Sequence, residues 1–188
     1  MKYYISDLHF GHKNVINFDN RPFKDTEEME RVIVDNWNKK VKNNDIVYIL
    51  GDFCFGNTEE WCRIASLLKG EKHLIIGNHD ERRINEKTSN LFKTISFYKE
   101  VSDCGRNVIL SHYPILFYKQ SYSRNNYMLH GHLHNRTEEV KFLNKFVKDL
   151  KENCSLNCGN IFNVGCMIDG FNYTPQSLDE ILDIYGVI

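Results

Sequence analysis

One pattern recurs along this chain and restricts its fold more than any other feature. A short apolar run ends, and within a residue or two come side chains able to hold a metal ion or move a proton. Lys2–Ser6 leads into Asp7-Leu8-His9, Ile46–Leu50 into Gly51-Asp52, and Leu74–Ile76 into Gly77-Asn78-His79-Asp80. Asn107–Leu110 then leads into Ser111-His112, and Tyr127–Leu129 into His130-Gly131-His132-Leu133-His134. Short apolar runs closed by glycine or polar residues read as strands, so polar chemistry is expected at strand ends.

The segments between them read as helices. Asp25 or Thr26 can cap a helix reaching about Val41, with Met29, Val32, Ile33, Asn36 and Trp37 at helical spacing. A second helix fits Thr58–Leu68, with Trp61, Ile64, Ala65 and Leu68 inward. Ile46–Leu50 is apolar throughout, as in a strand buried on both faces. This alternation predicts a βαβαβ unit, in which the carboxyl ends of the strands carry the site. From Phe97 the pattern becomes one of short strands: Phe97–Val101, Asn107–Leu110, Tyr127–Leu129 and Ile161–Val164. An amphipathic helix over Thr137–Lys151 presents Val140, Leu143, Phe146, Val147 and Leu150 on one packing face. With 188 residues and no linker or repeat, one domain over 1–188 is expected.

Each strand end offers a defined chemistry. Asn78 has a neutral oxygen suited to a divalent cation, and His79 an imidazole that exchanges a proton near neutral pH. Asp80 could hydrogen-bond that ring and fix its tautomer. Alternation along an extended strand would put Asp7 and His9 on one side, as two ligands for one ion. Any single segment could instead be a helix cap or a satisfied core histidine. Five segments, whose candidate groups include five of the eight histidines (His9, His79, His112, His132 and His134), point together to one site.

Composition removes several classes of function. A net charge of −1 does not suit a surface built to hold long nucleic acid. No apolar run approaches a membrane span and no signal pattern opens the chain, so a cytoplasmic protein is expected. The six cysteines then read as reduced thiols, and Cys154 and Cys158 lack the second pair that a zinc site needs.

Taken in order, Asp-x-His, Gly-Asp, Gly-Asn-His-Asp, Ser-His-Tyr-Pro and Gly-His-Leu-His resemble the motifs of the calcineurin-like metallophosphoesterases. The tail from Asn163 to Leu178 is similar to small bacterial members. The resemblance implies an α/β fold of two mixed β-sheets packed as a sandwich and flanked by helices, in four layers. It also implies two divalent transition metal ions, Mn²⁺ foremost, with Fe, Zn or Ni as substitutes. One ion would take Asp7, His9 and His134, the other Asn78, His112 and His132, with Asp52 bridging. Water activated by the ions would attack a phosphate ester directly, with His79 as general acid and Asp80 orienting it.

The substrate is less defined. His12, Arg21 and Arg136 are candidates for contact with its phosphate, with Arg124 behind them. Little chain remains for a cap over the metals, so an open site and a small, nucleotide-like phosphodiester are expected. A phosphomonoesterase and a nuclease of the same fold remain alternatives, the nuclease supported by Tyr118, Tyr122 and Arg124. A catalytically silent protein-binding scaffold is the alternative from another class, and the full ligand set argues against it.

Overall fold

Side-chain alternation along the first strands decides the layering. In β1 (Lys2–Ile5), Tyr3 and Ile5 face one way and Tyr4 the other; in β2 (Ile46–Ile49), Val47 and Ile49 oppose Tyr48. All are apolar or aromatic and buried, so this sheet must be covered on both sides. The computed structural model describes residues 1–135, 138–153 and 160–187. The remaining elements are α1 (Lys13–Phe18), α2 (Thr26–Lys40), α3 (Thr58–Leu67), β3 (Glu71–Ile75), α4 (Glu86–Ser89), β4 (Thr94–Ser96), β5 (Tyr98–Asp103), β6 (Arg106–Ser111), β7 (Asn126–His130), α5 (Glu138–Asn153), β8 (Ile161–Asn163) and α6 (Leu178–Ile184).

The strands form two four-stranded sheets, ordered β1-β2-β3-β4 and β5-β6-β7-β8. On one side of the first sheet, Met29, Ile33 and Trp37 of α2 and Trp61, Ile64 and Ala65 of α3 pack on Tyr3, Ile5, Val47, Ile49 and Leu74. On its other side Tyr4, Tyr48, Leu50 and Ile75 meet Val108, Leu110, Leu129 and Phe162 of the second sheet. The outer face of that sheet, Ile109, Met128 and Ile161, is covered by Leu143 of α5 and by Tyr118. The result is the expected α/β sandwich in four layers. Beyond β1 the two sheets are stitched together: the Ser6 amide donates to the Val164 carbonyl at 2.9 Å, and the Cys166 amide to the Ser6 carbonyl at 2.9 Å.

Two features differ from expectation. The sheets are not both mixed: the first is wholly parallel, and in the second only the β5–β6 pairing is antiparallel. The elements α1, α4, α6 and β4 were not foreseen, because a helix of four to seven residues shows too little periodicity to read. A signal for α6 was nonetheless present: Ser177 and Glu180 form a reciprocal capping box at its start. No helix among the described residues is long and apolar enough to cross a membrane.

The packing of α2 on the first sheet sets the first testable expectation. Ile33 is fully buried between α2 and the sheet, and the Asp25 side chain accepts the Glu28 amide at 2.8 Å as the cap of α2. Ile33→Ala should lower the unfolding free energy by about 2–5 kcal/mol and Asp25→Ala by about 1 kcal/mol. Urea denaturation with unchanged m-values would read both, and equal losses would contradict this division between core and cap.

Candidate metal centre

The carboxyl ends of β1, β2, β3, β6 and β7 converge, and the chain leaves each strand in a way that turns polar side chains inward. Asp7 and His9 do not continue the extended alternation that the sequence suggested. Both adopt left-handed backbone, with φ 56° and 51°, as do Asp52 (54°), His132 (69°) and His134 (41°). Such conformations cost non-glycine residues about 1–3 kcal/mol each and collect where function requires a set direction. Close approach also demands glycine: a side chain at Gly51, where φ is 91°, would strike the His112 ring and the Gly77 backbone.

Two groups of side chains could each hold a cation: Asp7, His9 and His134, and Asp7, Asp52 and His112, each with its donor atoms within 4.8 Å of one another. Asp7 belongs to both groups, and Asp52 stands against an imidazole of each. Its Oδ2 is 3.5 Å from His9 Nε2 and 3.6 Å from His112 Nε2, while its Oδ1 accepts the His79 amide at 2.9 Å. Asn78 Oδ1 is 3.0 Å from both His112 Nε2 and His132 Nδ1. The arrangement brings together all seven side chains expected as ligands.

The donor chemistry fits metal ions. His112 Nδ1–H donates to the Leu50 carbonyl at 2.8 Å, which leaves its Nε2 with a free lone pair facing the Asn78 oxygen. His134 Nδ1–H donates to Asp19 at 2.6 Å, and its Nε2 faces His9 Nε2 at 3.3 Å. Lone pairs turned towards one another repel unless a cation or proton lies between them. The set is imidazole, carboxylate and one amide oxygen, without thiolate, as suits Mn, Fe, Zn or Ni.

Electrostatics follow from burial and crowding. Burial pushes the Asp7 carboxyl up, but the His134 hydrogen bond and the neighbouring imidazoles more than reverse this and hold it well below the usual range. Burial drives the His9 ring well below its ordinary value. Burial also pulls on His134, yet its bonds to Asp19 and Asp7 raise it to about 10. Desolvation raises Asp52.

Two residues take roles other than those expected. Arg21 is not available to a substrate: it is buried, donating to the Asp7 carbonyl at 2.8 Å and the Leu8 carbonyl at 3.1 Å and pairing with Asp19 at 2.8 Å. Asp80 does not orient the His79 ring. Its carboxylate accepts the amides of Asp52 (2.8 Å), Phe53 (3.0 Å) and Gly77 (2.9 Å), and burial pushes its pKa up to about 6. Asp19 carried no expectation, since nothing near it in sequence marks it, yet it holds His134. His79 is half-buried beside the ligands, its ring centre 5.5 Å from that of His9, and its carbonyl accepts Arg83 Nη1 at 2.6 Å. His12 stacks on Phe55 at 4.1 Å with its buried Nδ1 unpartnered among the described residues. Arg136, Cys154 and Cys158 lie outside the described residues.

A family model described as calcineurin-like phosphoesterase matches residues 3–186. An uncharacterised protein of Methanocaldococcus jannaschii is 34% identical over 185 residues, 97% of this chain and 89% of that one. A gene 66 protein of Mycobacterium phage L5 is 28% identical over 159 residues, 70% of this chain and 76% of its own. A crystal structure of a protein of unknown function from Aquifex aeolicus superimposes with a TM-score of 0.71 at 30% identity, covering 98% of each chain.

Asp19 offers a test of this geometry apart from turnover. A carboxylate behind a ligating imidazole typically governs metal affinity by about 10–100-fold. Asp19→Asn should therefore weaken Mn²⁺ binding by about that factor in calorimetric titration while leaving the circular dichroism native. Unchanged affinity would mean that His134 is held by other contacts.

Proposed function

The chain belongs to the calcineurin-like phosphoesterase family, and on that premise we propose that it is a phosphodiesterase using two divalent ions, Mn²⁺ foremost. One ion would be held by Asp7, His9 and His134 and the other by Asn78, His112 and His132, with Asp52 shared. The observation that carries this reading is the single Asp52 oxygen standing 3.5 Å and 3.6 Å from imidazoles of the two groups. When bound, two such ions supply Lewis acidity and bring the pKa of coordinated water from about 15.7 towards 7.

The chain's own residues would do the rest. His79, beside the ligands and outside both groups, would give a ring N–H proton to the oxygen leaving phosphorus. Arg83, bonded to the His79 carbonyl, would hold that residue in place. Asp80 would act at one remove, keeping the Asp52 turn at its distance from Gly77. The buried commitments of Arg21 support a diester over a monoester: a monoester's second negative charge calls for fixed cationic donors, and this guanidinium is already spent. A cytoplasmic setting belongs to the same proposal, supported by the free thiols of Cys54, Cys62, Cys104 and Cys166.

Two measurements test the reading. Protein stripped by chelation should be inactive and recover with Mn²⁺ rather than Ca²⁺, which prefers an all-oxygen shell. Its kcat/KM on bis(p-nitrophenyl) phosphate should at least equal that on p-nitrophenyl phosphate. A clear excess for the monoester would make it a phosphomonoesterase.

His79→Asn should keep its metal yet lose about 10²–10⁴-fold in turnover on an ester with a poor leaving group, and less on aryl esters that scarcely need a proton. Equal losses on both substrates would remove His79 as the acid.

A further inference from the structure

A hollow of about 770 Å³ opens beside His79, between the Phe55–Thr58 segment and residues 81–85. It shares Asn78 and His79 with the metal centre and extends away from the other ligands, with Phe55, Asn57, Glu81 and Arg82 in its lining. If His79 protonates the departing oxygen, whatever that oxygen carries must lie on this side. The inference therefore rests on His79 as the acid.

The walls are tied together before any ligand arrives. Arg83 Nε donates to the Gly56 carbonyl at 3.1 Å and its Nη2 to the Phe55 carbonyl at 3.0 Å, while the guanidinium lies 4.7 Å over the Phe55 ring. Asn85 Nδ2 donates to Thr58 Oγ1 at 3.0 Å across the same gap. A hollow whose walls are already cross-linked loses little freedom on binding. Arg83 and His12 both pack on the Phe55 ring, the guanidinium at 4.7 Å and the imidazole at 4.1 Å and 9°. Phe55 keeps 37% of its surface exposed, but its ring is already engaged by both, and the rest of the lining, Asn57, Thr58, Glu81 and Arg82, offers hydrogen bonds and charge for recognition.

The two arginines differ in what remains to them. Arg83 spends its guanidinium on three carbonyl oxygens. Arg82 is exposed, and its guanidinium makes no hydrogen bond or ion pair among the described residues. An aliphatic alcohol entering this hollow would strip water from Asn57, Glu81 and Arg82 without replacing its hydrogen bonds. A polar alcohol bearing one phosphate would satisfy them, because a guanidinium fork matches phosphate geometry.

We propose that this hollow receives the departing half of the diester, and that this half is an alcohol of nucleotide size carrying its own phosphate, held by Arg82. A water oxygen bonds to phosphorus as the bond from phosphorus to that alcohol's oxygen breaks; the departing oxygen takes the His79 proton, which the protons released by the water restore. The half that keeps the phosphorus becomes a phosphomonoester, and the product leaving the hollow is a phosphorylated alcohol. The class of reaction that supplies the substrate thus joins two phosphorylated units through a diester.

Thymidine dinucleotides test this with the Mn²⁺-loaded protein: unphosphorylated, 5′-phosphorylated or 3′-phosphorylated, with product analysis showing which half departs. A phosphate on the departing half should raise kcat/KM by about tenfold over the unphosphorylated dinucleotide, and one on the other half should not. Arg82→Ala should bring that ratio close to one. A wild-type ratio near one, or a ratio that survives Arg82→Ala, overturns the assignment while bis(p-nitrophenyl) phosphate hydrolysis still upholds the phosphodiesterase reading. Absence of turnover on every diester by metal-loaded protein would overturn both.

Discussion

The site depends first on one buried carboxylate that bonds to backbone amides rather than to a ligand's side chain. Asp80 is fully buried and accepts three backbone amides, two from the turn after β2 and one from the turn after β3. Charge-assisted bonds to backbone N–H groups are among the stronger hydrogen bonds available inside a protein. Together with the His79 amide bond to Asp52 Oδ1, they join two strand ends beyond the sheet, so that Asp52 and Asn78 face the same space. Arg21 does the corresponding work at the end of β1, where its guanidinium takes the carbonyl oxygens of Asp7 and Leu8. One anion braces amides and one cation braces carbonyls, and the ligands hang from the braced backbone.

Such bracing is needed because the ligands are held in a conformation the chain resists. Asp7, His9, Asp52, His132 and His134 all have positive φ. At about 1–3 kcal/mol each, this strain is comparable with the net stability of an ordinary domain. It persists because the same residues emerge from strands buried on both faces, where Tyr4, Ile5, Ile49, Leu50, Ile75 and Leu129 lie at or near zero exposure. Hydrophobic layers above and below hold the strand ends, and the strain is concentrated at the one rim where the layers stop.

The sandwich also explains why ligands far apart in sequence meet. Asp7 and His134 are brought within 3.5 Å because Ser6 bonds across to Val164 and Cys166, joining the edge of the first sheet to the second. His134 is then steadied from a third direction by Asp19, which follows α1 and pairs with Arg21. First-sheet, second-sheet and loop residues thus form one connected network around the candidate cations.

The sequence by itself determined which side chains could take part and at which strand ends they fall, because periodicity marks buried strands and residue type marks chemistry. Asp7, His9, Asp52, Asn78, His112, His132 and His134 were legible for that reason. The long helices around Ile33 and Ile64 were legible too, since their apolar stripes run long enough to show a period. What supports the site was not legible. Arg21 and Asp80 carry charges and stand near the motifs, so they read as groups for substrate or proton. Only the folded backbone shows that they are buried against carbonyls and amides. Asp19 had no local signal at all, because its partner His134 is 115 residues away and a hydrogen bond across that separation leaves no trace in spacing. Residue chemistry is a local property that a sequence displays. Whether a charged group faces a ligand or a strained turn depends on which chain segments pack around it, and tertiary structure alone decides that.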